Sequence, residues 1–386
     1  IPSSNPEVRK AHRLGIPVIR RGEMLAHLVN SSQGIAVAGA HGKTTTTSMI
    51  ARILKEHDLD PSFIIGAELQ DSNFGAQLGS GEYFVAEADE SDASFLQLNP
   101  YVAVVTNVEN DHLDFYRSMD RLKDAFRQFI SQIRTGGFAV LCHDDPFLRS
   151  LRNEFRHLIY YGATPDADYY YSNLKHNGWG SSFAVHHHGE YLGTMQLSIP
   201  GYHNVLNALA ATAVACELGI PFKVTAEALL RFKGAKRRLQ LLGKVGGITL
   251  IDDYAHHPTE IAATIGAARQ FHEGRLTVVF QPHRYTRTKI LREQFGGAFK
   301  GVDQLIITDI YSAGEKPIPG ISGDTICQAA KKHGCNAVFI AETDEIIDYL
   351  VKESRPGDLI LFMGAGDIWK IGEKFKLLLE GSHPSA

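Results

Sequence analysis

A glycine-rich turn between an apolar run and a helical pattern constrains this chain more than any other feature. The turn, AGAHGKTTTT at 38–47, follows the β-branched run GIAVAG at 34–39 and precedes SMIARILKEH at 48–57, where apolar residues recur at helical spacing. Glycines let backbone N–H groups approach phosphate, and the helix N-terminus adds partial positive charge. The segment therefore predicts a phosphate site, whereas the alternative is a glycine turn that only caps a helix.

The motif is the short form GxxGKT, because Val37 stands where the longer phosphate-binding motif has its first glycine. Lys43 is predicted to reach the outer phosphates, and Thr44 to place its hydroxyl on Mg²⁺. The residues predicted to line the phosphates are Gly39, Ala40, His41, Gly42, Lys43, Thr44 and Thr45.

Acidic residues follow two strand-like runs farther along the chain. EADESD at 87–92 ends the run YFVAEA, and NVENDHLD at 107–114 ends VAVVTNV. Carboxyl ends of parallel strands share one edge of a sheet, so Glu87 is well placed to hold a metal beside the phosphates. Asp111 and His112 are predicted to contact the metal or the substrate, whereas a solvated acidic loop is the alternative.

Composition excludes several classes of function. The 386 residues are 44% hydrophobic with a formal net charge of −4, which leaves no basic footprint for nucleic acid. The four cysteines show no metal-binding spacing, which favours reduced thiols in a cytoplasmic protein. No apolar run approaches the roughly 20 residues of a membrane span, and no signal peptide is visible. We expect two or three domains without a membrane span or a nucleic-acid partner.

Alternating strand and helix patterns predict an α/β fold. Segments 157–199 alternate apolar and polar residues, as in a small antiparallel sheet, and 201–219 reads as a long helix. A second series of alternating strands and helices predicts another α/β domain that starts near Lys233. The segment 233–247, which is basic and rich in glycine, is the best linker candidate. The predicted strands are 34–39, 83–88, 102–108, 137–141, 247–251, 276–281, 304–309, 336–340 and 358–363, and the clearest early helices are 44–57 and 119–134.

Seven segments in order carry a resemblance to a known family: AHGKTTTT, EADESD, NVENDHLD, GYHNVLNALAA, DDYAHHPTE, FQPHRYTRT and GAGDI. The chain resembles the Mur ligases of peptidoglycan synthesis from about residue 1 to residue 380. The resemblance implies a central P-loop ATPase-like parallel sheet domain with a small antiparallel sheet, followed by a Rossmann-like α/β domain. The expected division is 1–30, a remnant of an N-terminal domain with its linker; 31–232, binding ATP; and 233–386, binding the amino acid.

Among family members, the motifs resemble most those of the enzyme that joins L-alanine to the lactyl carboxylate of UDP-N-acetylmuramate. The resemblance implies ATP and Mg²⁺, an acyl phosphate intermediate, catalytic roles for Lys43, Glu87 and His112, and a metal held by Thr44, Glu87 and His112. It further implies nucleotide contacts from His203, Asn204, Asn207, Arg237, Arg238 and Asp252. The substrate contacts that it implies are Asp111, His112, Tyr254, His256, His257, His283, Arg284 and Arg287.

Other functions stay open at this point. Within the family, the alternative is the recycling ligase that joins an intact tripeptide to UDP-N-acetylmuramate. A folylpolyglutamate synthetase shares the fold, but lacks DDYAHHPTE together with FQPHRYTRT. From other classes, a nucleotide switch or motor ATPase needs no amine pocket, and a nucleotide-binding remnant would keep the motifs without ligase activity. We expect a monomer or weak homodimer, and the sequence does not distinguish alanine from glycine or serine as the preferred amino acid.

Overall fold

The computed structural model describes residues 1, 3–70, 74–109 and 113–382, and its first half is built on one large sheet. The strands of this sheet are β1 (Gln33–Ala38), β2 (Ser62–Ile64), β3 (Ala76–Gln77), β4 (Tyr83–Glu87), β5 (Val102–Val105), β6 (Phe138–Cys142), β7 (Leu158–Gly162), β8 (Tyr169–Asn177), β9 (Gly180–His187) and β10 (Glu190–Leu197). The helices of this half are α1 (Pro6–Arg13), α2 (Arg21–Asn30), α3 (Lys43–Glu56), α4 (Leu113–Tyr116), α5 (Met119–Ser131), α6 (Pro146–Ser150), α7 (Tyr202–Glu217) and α8 (Phe222–Leu230), with short 3₁₀ turns at Ser94–Gln97 and Leu151–Asn153.

The strand order in this sheet is β10-β9-β8-β7-β6-β5-β1-β4-β2-β3. Strand β1 lies at its centre and pairs in parallel with β4 and β5, with Ile35 opposite Val85 on one side and Val102 on the other. The residues of β5 are all buried, as expected for a parallel strand covered on both faces. The glycine turn after β1 therefore lies at the carboxyl edge of the sheet, beside the ends of β4 and β5.

The antiparallel part of the chain extends the large sheet. Strand β8 pairs in parallel with β7 over two residues, and β8, β9 and β10 then continue as an antiparallel meander. The antiparallel pairing that the alternation over 157–199 predicted is therefore present, and it grows from the edge strand β7. Edge strands accept such additions because their outer backbone groups are unpaired.

The second half contains a smaller α/β sheet with the order β11-β12-β16-β13-β14-β15. Its strands are β11 (Gln240–Val245), β12 (Ile248–Asp253), β13 (Leu276–Phe280), β14 (Gln304–Ile307), β15 (Ala337–Phe339) and β16 (Leu359–Met363). Its helices are α9 (Pro258–Phe271), α10 (Tyr285–Ile290), α11 (Arg292–Ala298), α12 (Gly323–Lys332), α13 (Thr343–Glu353) and α14 (Trp369–Ser382). All pairings are parallel except that of β11 with β12, so the predicted α/β class is confirmed in both halves.

The linker prediction was too long. Residues 240–245 form the edge strand β11 instead of a free connection, because β12 offers an open edge and the Gly246–Gly247 turn, at φ +58° and +78°, closes a hairpin. One buried apolar cluster extends from Ala26 to Phe232, and two others lie between Leu239 and Phe375. The first cluster ends at Phe232 and the second begins at Leu239, so the segment 233–239 remains as the connection between the two halves.

The helices give no sign of a bilayer span. Within the part of the chain that the structure describes, none is both long and apolar enough to cross a membrane.

Candidate active site

The glycine turn between β1 and α3 is shaped by close packing of its backbone. Gly39 and Gly42 have φ of +125° and +86°, in the region that favours glycine. A Cβ on Gly42 would lie 2.5 Å from Oδ1 of Asn207, and one on Gly39 would collide with the Thr106 hydroxyl. The turn therefore requires glycine at both positions, and α3 begins at Lys43 directly after it. This geometry leaves the first N–H groups of α3 available to an anion.

Lys43 is held over the turn by a buried carboxylate. Its Nζ donates to the Gly39 carbonyl at 2.5 Å and to Oε1 of Glu90 at 2.7 Å, and Glu90 is only 2% exposed. Burial alone would lower the pKa of Lys43, but the negative charges of Glu90 and its neighbours raise it overall. Tyr116 donates to the Glu90 carbonyl and fixes this loop. The ammonium group is therefore charged and positioned at the mouth of the turn.

Thr44 and Glu87 form the pair that the sequence predicted for a metal. The Thr44 hydroxyl donates to Oε2 of Glu87 at 3.2 Å, while Oε1 of Glu87 accepts from the Gly66 N–H at 2.5 Å. A hydroxyl and a carboxylate oxygen are hard ligands that suit Mg²⁺, so the donor set fits that ion. Asp111 and His112, the other residues predicted at this edge, lie outside the described residues.

His41 connects the glycine turn to the second half of the molecule. Its Nδ1 lies 3.2 Å from Oε1 of Glu260 in α9, and its Nε2 lies 3.3 Å from Oε2 of Glu109 after β5. Burial alone would lower the pKa of His41, but the two carboxylates raise it to about 9. Thr259 adds a hydrogen bond from its hydroxyl to Glu109 at 2.9 Å. The turn therefore contacts the start of α9 directly.

A cavity of about 230 Å³ lies behind the turn and contains the predicted α7 residues. Asn207 accepts from the Thr46 hydroxyl at 3.2 Å and donates to Oδ1 of Asn204 at 3.1 Å. Both asparagines are buried, so Asn207 is not an exposed helix amide: it supports the turn from behind. Burial, aided by the charge of Arg238, lowers the pKa of His203 to about 4, so its imidazole is neutral at pH 7. The cavity thus offers neutral polar groups beside the phosphate site.

The connection between the halves places two arginines at the edge of the second sheet. Arg237 donates to Oδ2 of Asp252 at 3.1 Å and to the carbonyls of Gly364 and Gly366, so its guanidinium ties three segments together. Burial raises the pKa of Asp252 to about 7, although Arg237 opposes the shift. Oδ1 of Asp252 is buried without a hydrogen-bond partner, and Asp252 lines the larger cavity.

Two histidines of the second half, His256 and His283, are neutral at pH 7. Burial lowers the pKa of His256 to about 4 despite nearby Glu260, and burial, with His256 and Arg287 nearby, lowers the pKa of His283 to about 4. Nδ1 of His256 lies 3.0 Å from the Tyr254 carbonyl and 3.3 Å from Oε2 of Glu260. Two oxygen neighbours assign the proton to Nδ1, which leaves Nε2 as an acceptor. Arg287 lies 3.3 Å from Nδ1 of His283.

A cavity of about 860 Å³ between the two halves brings most predicted residues together. The predicted residues that line it are Ala40, His41, Gly42, Lys43, Thr44, Glu87, Arg237, Arg238, Asp252, Tyr254, His256, His257 and Arg287. The smaller cavity is lined by Thr45, His203, Asn204 and Asn207, together with His41, Gly42, Thr44 and Arg238 of the first set. Gly39 and His283 line neither cavity, but each contacts a residue that does: the Gly39 carbonyl accepts from Lys43, and the His283 ring is centred 5.6 Å from the His256 ring. Arg284 is exposed and lines neither cavity, so the structure does not pair it with Arg287.

Residues 37–215 match the Mur ligase middle domain, and residues 237–366 match the Mur ligase glutamate ligase domain. The chain belongs to the Mur ligase family. The resemblance stated from the motifs is therefore confirmed.

Several relatives of this Mur ligase chain carry the same name, that of a UDP-N-acetylmuramate–L-alanine ligase. The UDP-N-acetylmuramate–L-alanine ligase of Syntrophomonas wolfei is 54% identical over 96% of the chain and 81% of the relative, and that of Geobacter sp. strain M21 is 49% identical over 99% and 83%. The crystal structure of the Thermotoga maritima UDP-N-acetylmuramate–alanine ligase has a TM-score of 0.85 at 28% identity, covering 99% of this chain and 84% of that one. A murein peptide ligase from Psychrobacter arcticus has a TM-score of 0.69 at 25% identity, covering 100% and 85%.

Three carboxylates of this Mur ligase site were not among the predicted residues. Glu90 pairs with Lys43, and Glu109 and Glu260 hold His41. Glu260 had a local signal: it stands three residues after His257 and closes a capping box at the start of α9. Glu90 and Glu109 lay inside recognised motifs, but only the fold reveals which carboxylate of each motif faces the glycine turn.

Proposed function

We propose that this Mur ligase is an ATP-dependent ligase that joins L-alanine to the lactyl carboxylate of UDP-N-acetylmuramate. One observation carries the proposal: Lys43, the Thr44–Glu87 pair, His256 and Arg287 all face one cavity between the two halves. A phosphate site and an amino-acid site that share a cavity suit a two-step condensation. A switch or motor ATPase would not require the amino-acid site that His256 and Arg287 form.

In the first step, a carboxylate oxygen of the acceptor attacks the γ-phosphorus of ATP, and ADP leaves. Two anions must approach each other, so positive charge at the reaction centre lowers the barrier. Lys43 supplies one fixed charge, held by Glu90 at 2.7 Å. Thr44 and Glu87 would hold Mg²⁺, which when bound supplies further positive charge at the phosphates.

In the second step, the amino nitrogen of L-alanine attacks the acyl carbon, and phosphate leaves from the tetrahedral intermediate. The amine must be uncharged to attack. Nε2 of neutral His256 can accept a hydrogen bond from the amino N–H and so orient the nitrogen, while the proton that the nitrogen loses leaves with the phosphate. Arg287 supplies a guanidinium that can bind the amino-acid carboxylate with two hydrogen bonds. Tyr254 and His257 line the same wall and would contact the substrate.

The adenine ring of ATP would occupy the smaller cavity, where His203, Asn204 and Asn207 offer neutral hydrogen-bonding groups. Arg238 lines both cavities and so lies on the route from base to phosphates. We further propose a central ATP-binding domain that ends near residue 232 and an amino-acid-binding domain that begins near residue 233.

We propose L-alanine, rather than a tripeptide, as the amine because the names of the relatives described above favour it. Several proteins between 46% and 54% identical to the chain carry the name UDP-N-acetylmuramate–L-alanine ligase. The murein peptide ligase matches less well, with a TM-score of 0.69 against 0.85.

Phosphate release tests the proposal. The protein is incubated with ATP and Mg²⁺, with or without UDP-N-acetylmuramate, and with L-alanine, glycine, L-serine or the tripeptide in turn. We expect release only when both acceptor and amine are present, with L-alanine giving the highest kcat/KM. Fastest release with the tripeptide would assign the recycling reaction instead. Release with ATP alone at the full rate would contradict a ligase.

A further inference from the structure

We propose a second metal site, for a transition ion such as Zn²⁺, formed by His41, Glu109 and His257 at the contact between the two halves. This site is separate from the Thr44–Glu87 pair, and it does not depend on the ligase proposal. One ligand atom from each of the three residues lies within 4.8 Å of the others. No other such group of histidine, cysteine, aspartate and glutamate is found among the described residues.

The distances suit a tetrahedral ion. Ligands bound to zinc at about 2.0–2.2 Å lie roughly 3.3–3.6 Å from one another. Nε2 of His41 and Oε2 of Glu109 are 3.3 Å apart, which matches one edge of such a tetrahedron. One nitrogen of His257 lies within 4.8 Å of both atoms, and its ring is centred 5.4 Å from the His41 ring, so this third ligand would move inward when an ion binds.

Neighbouring residues would support these ligands. A histidine that binds zinc usually presents its other nitrogen to a carboxylate, which fixes the ring. Here Nδ1 of His41 faces Oε1 of Glu260 at 3.2 Å, while the Thr259 hydroxyl orients Glu109 from 2.9 Å. His257 is 4% exposed, so its ring is already confined. His41 and Glu109 are therefore oriented by their hydrogen-bond partners before an ion binds, and the His257 ring is confined beside them.

The donor types select the class of ion. Two imidazoles and one carboxylate suit Zn²⁺ and related transition ions, whereas Mg²⁺ prefers oxygen ligands alone. His41 and Glu109 line the 230 Å³ cavity, which leaves a fourth position open to water. His41 and Glu109 come from the central half and His257 from the second half. A bound ion would therefore connect the two halves through the glycine turn.

Zn²⁺ binding is measured by calorimetric titration of the whole chain without nucleotide, at a series of pH values up to and above the pKa of His41, because protons compete for its Nε2. We expect one tight equivalent. His41→Ala, His257→Ala and Glu109→Gln should each weaken binding at least about tenfold, and Glu260→Gln about 10–100-fold. The matched controls, Glu87→Ala and the surface double variant His187→Ala/His188→Ala, should retain the parent affinity.

Two measurements on the unmodified chain protect the test against misfolded variants. Co²⁺ should bind with the visible absorption of a tetrahedral ion, and Zn²⁺ should slow hydrogen exchange both at the start of α9 and at the end of β5. The proposal fails if the chain binds no Zn²⁺, if Glu87→Ala or the surface variant abolishes binding while the three ligand variants keep it, or if only one half is protected.

Discussion

The two sheet edges that form the cavity shift the pKa values of their histidines in opposite directions. At the central edge, His41 lies between two carboxylates and its pKa is raised to about 9, while Glu90 keeps Lys43 charged. At the second edge, His256 and His283 are partly buried near arginines, and their pKa values fall to about 4. The central edge therefore keeps cations for phosphate, and the second keeps neutral imidazoles that can accept a hydrogen bond.

The contrast teaches that burial alone does not decide charge. Burial lowers the pKa of both histidines. At His41, Glu109 and Glu260 together outweigh it, whereas at His256 the same Glu260 is opposed by Arg287 and Arg238 and does not. A reaction that joins a phosphorylated acid to an amine requires both environments in one cavity. Variants at each edge should therefore fail in different kinetic parameters.

Lys43→Ala should give the largest effect. Loss of a fixed charge that stabilises the transition state typically lowers kcat by about 10²–10³-fold. Phosphate release at saturating substrates measures this, with Lys55→Ala, an exposed lysine of the same helix, as the control. An unchanged kcat for Lys43→Ala would show that the charge of Lys43 does not stabilise the transition state.

Glu87→Ala should raise the Mg²⁺ concentration needed for half-maximal rate by at least about tenfold, because the ion loses a carboxylate ligand. A Mg²⁺ titration of phosphate release checks this, with the exposed Glu82→Ala as control. If both variants follow the parent curve, the metal lies elsewhere at this edge.

Arg287→Ala should raise the KM for L-alanine about 10–100-fold and leave the KM for ATP near the parent value. Charged hydrogen bonds contribute about 1.5–3 kcal/mol each, and this one is proposed to bind the amino-acid carboxylate. Arg284→Ala is the matched control, since that exposed side chain lines neither cavity. Equal effects of the two substitutions would show that the arginines act as a pair after all.

Asn207→Ala should weaken ATP binding by roughly tenfold, because a buried partner of Thr46 is lost and the glycine turn loses its support. Equilibrium binding of ATP measures this. Asn173→Ala, on the hairpin far from the turn, serves as control. An ATP affinity equal to that of the parent would limit Asn207 to a packing role.

The smallest expected effect concerns pH. The pKa of His283 is about 4 in the folded chain against 6.5 ordinarily, so between these values the unfolded chain binds up to about one more proton there. Its contribution to stability is therefore complete above pH 6.5 and is lost as the pH falls toward 4. Urea unfolding at several pH values should show a shallower loss for His283→Gln. A parallel loss would place the titration elsewhere.

More of the site residues at the central edge than at the second edge could be predicted from the sequence. Gly39, Gly42, Lys43 and Thr44 are neighbours in the chain, and local glycine chemistry defines what they do. The partners of Lys43 and His41 could not be chosen, because Glu90, Glu109 and Glu260 meet the turn only through sheet order and the approach of α9. The sequence also could not separate Arg284 from Arg287: Arg284 is the exposed residue before α10, whereas Arg287 lies within α10 and lines the larger cavity.

Strand positions were predictable because buried parallel strands are continuous apolar runs, as in LTVVF at β13. The linker was extended too far because β11 is an edge strand with mixed residues, and its pairing with β12 depends on the Gly246–Gly247 turn. Attachment of the antiparallel hairpins to β7 likewise depends on an open edge rather than on composition.

The most direct test of the account follows one oxygen atom. UDP-N-acetylmuramate labelled with ¹⁸O in its lactyl carboxylate is converted with ATP, Mg²⁺ and L-alanine, and the released phosphate is analysed by mass spectrometry. An acyl phosphate requires that one carboxylate oxygen leaves with the phosphate, so we predict one ¹⁸O in each phosphate formed. Unlabelled phosphate that takes its fourth oxygen from water would contradict the account.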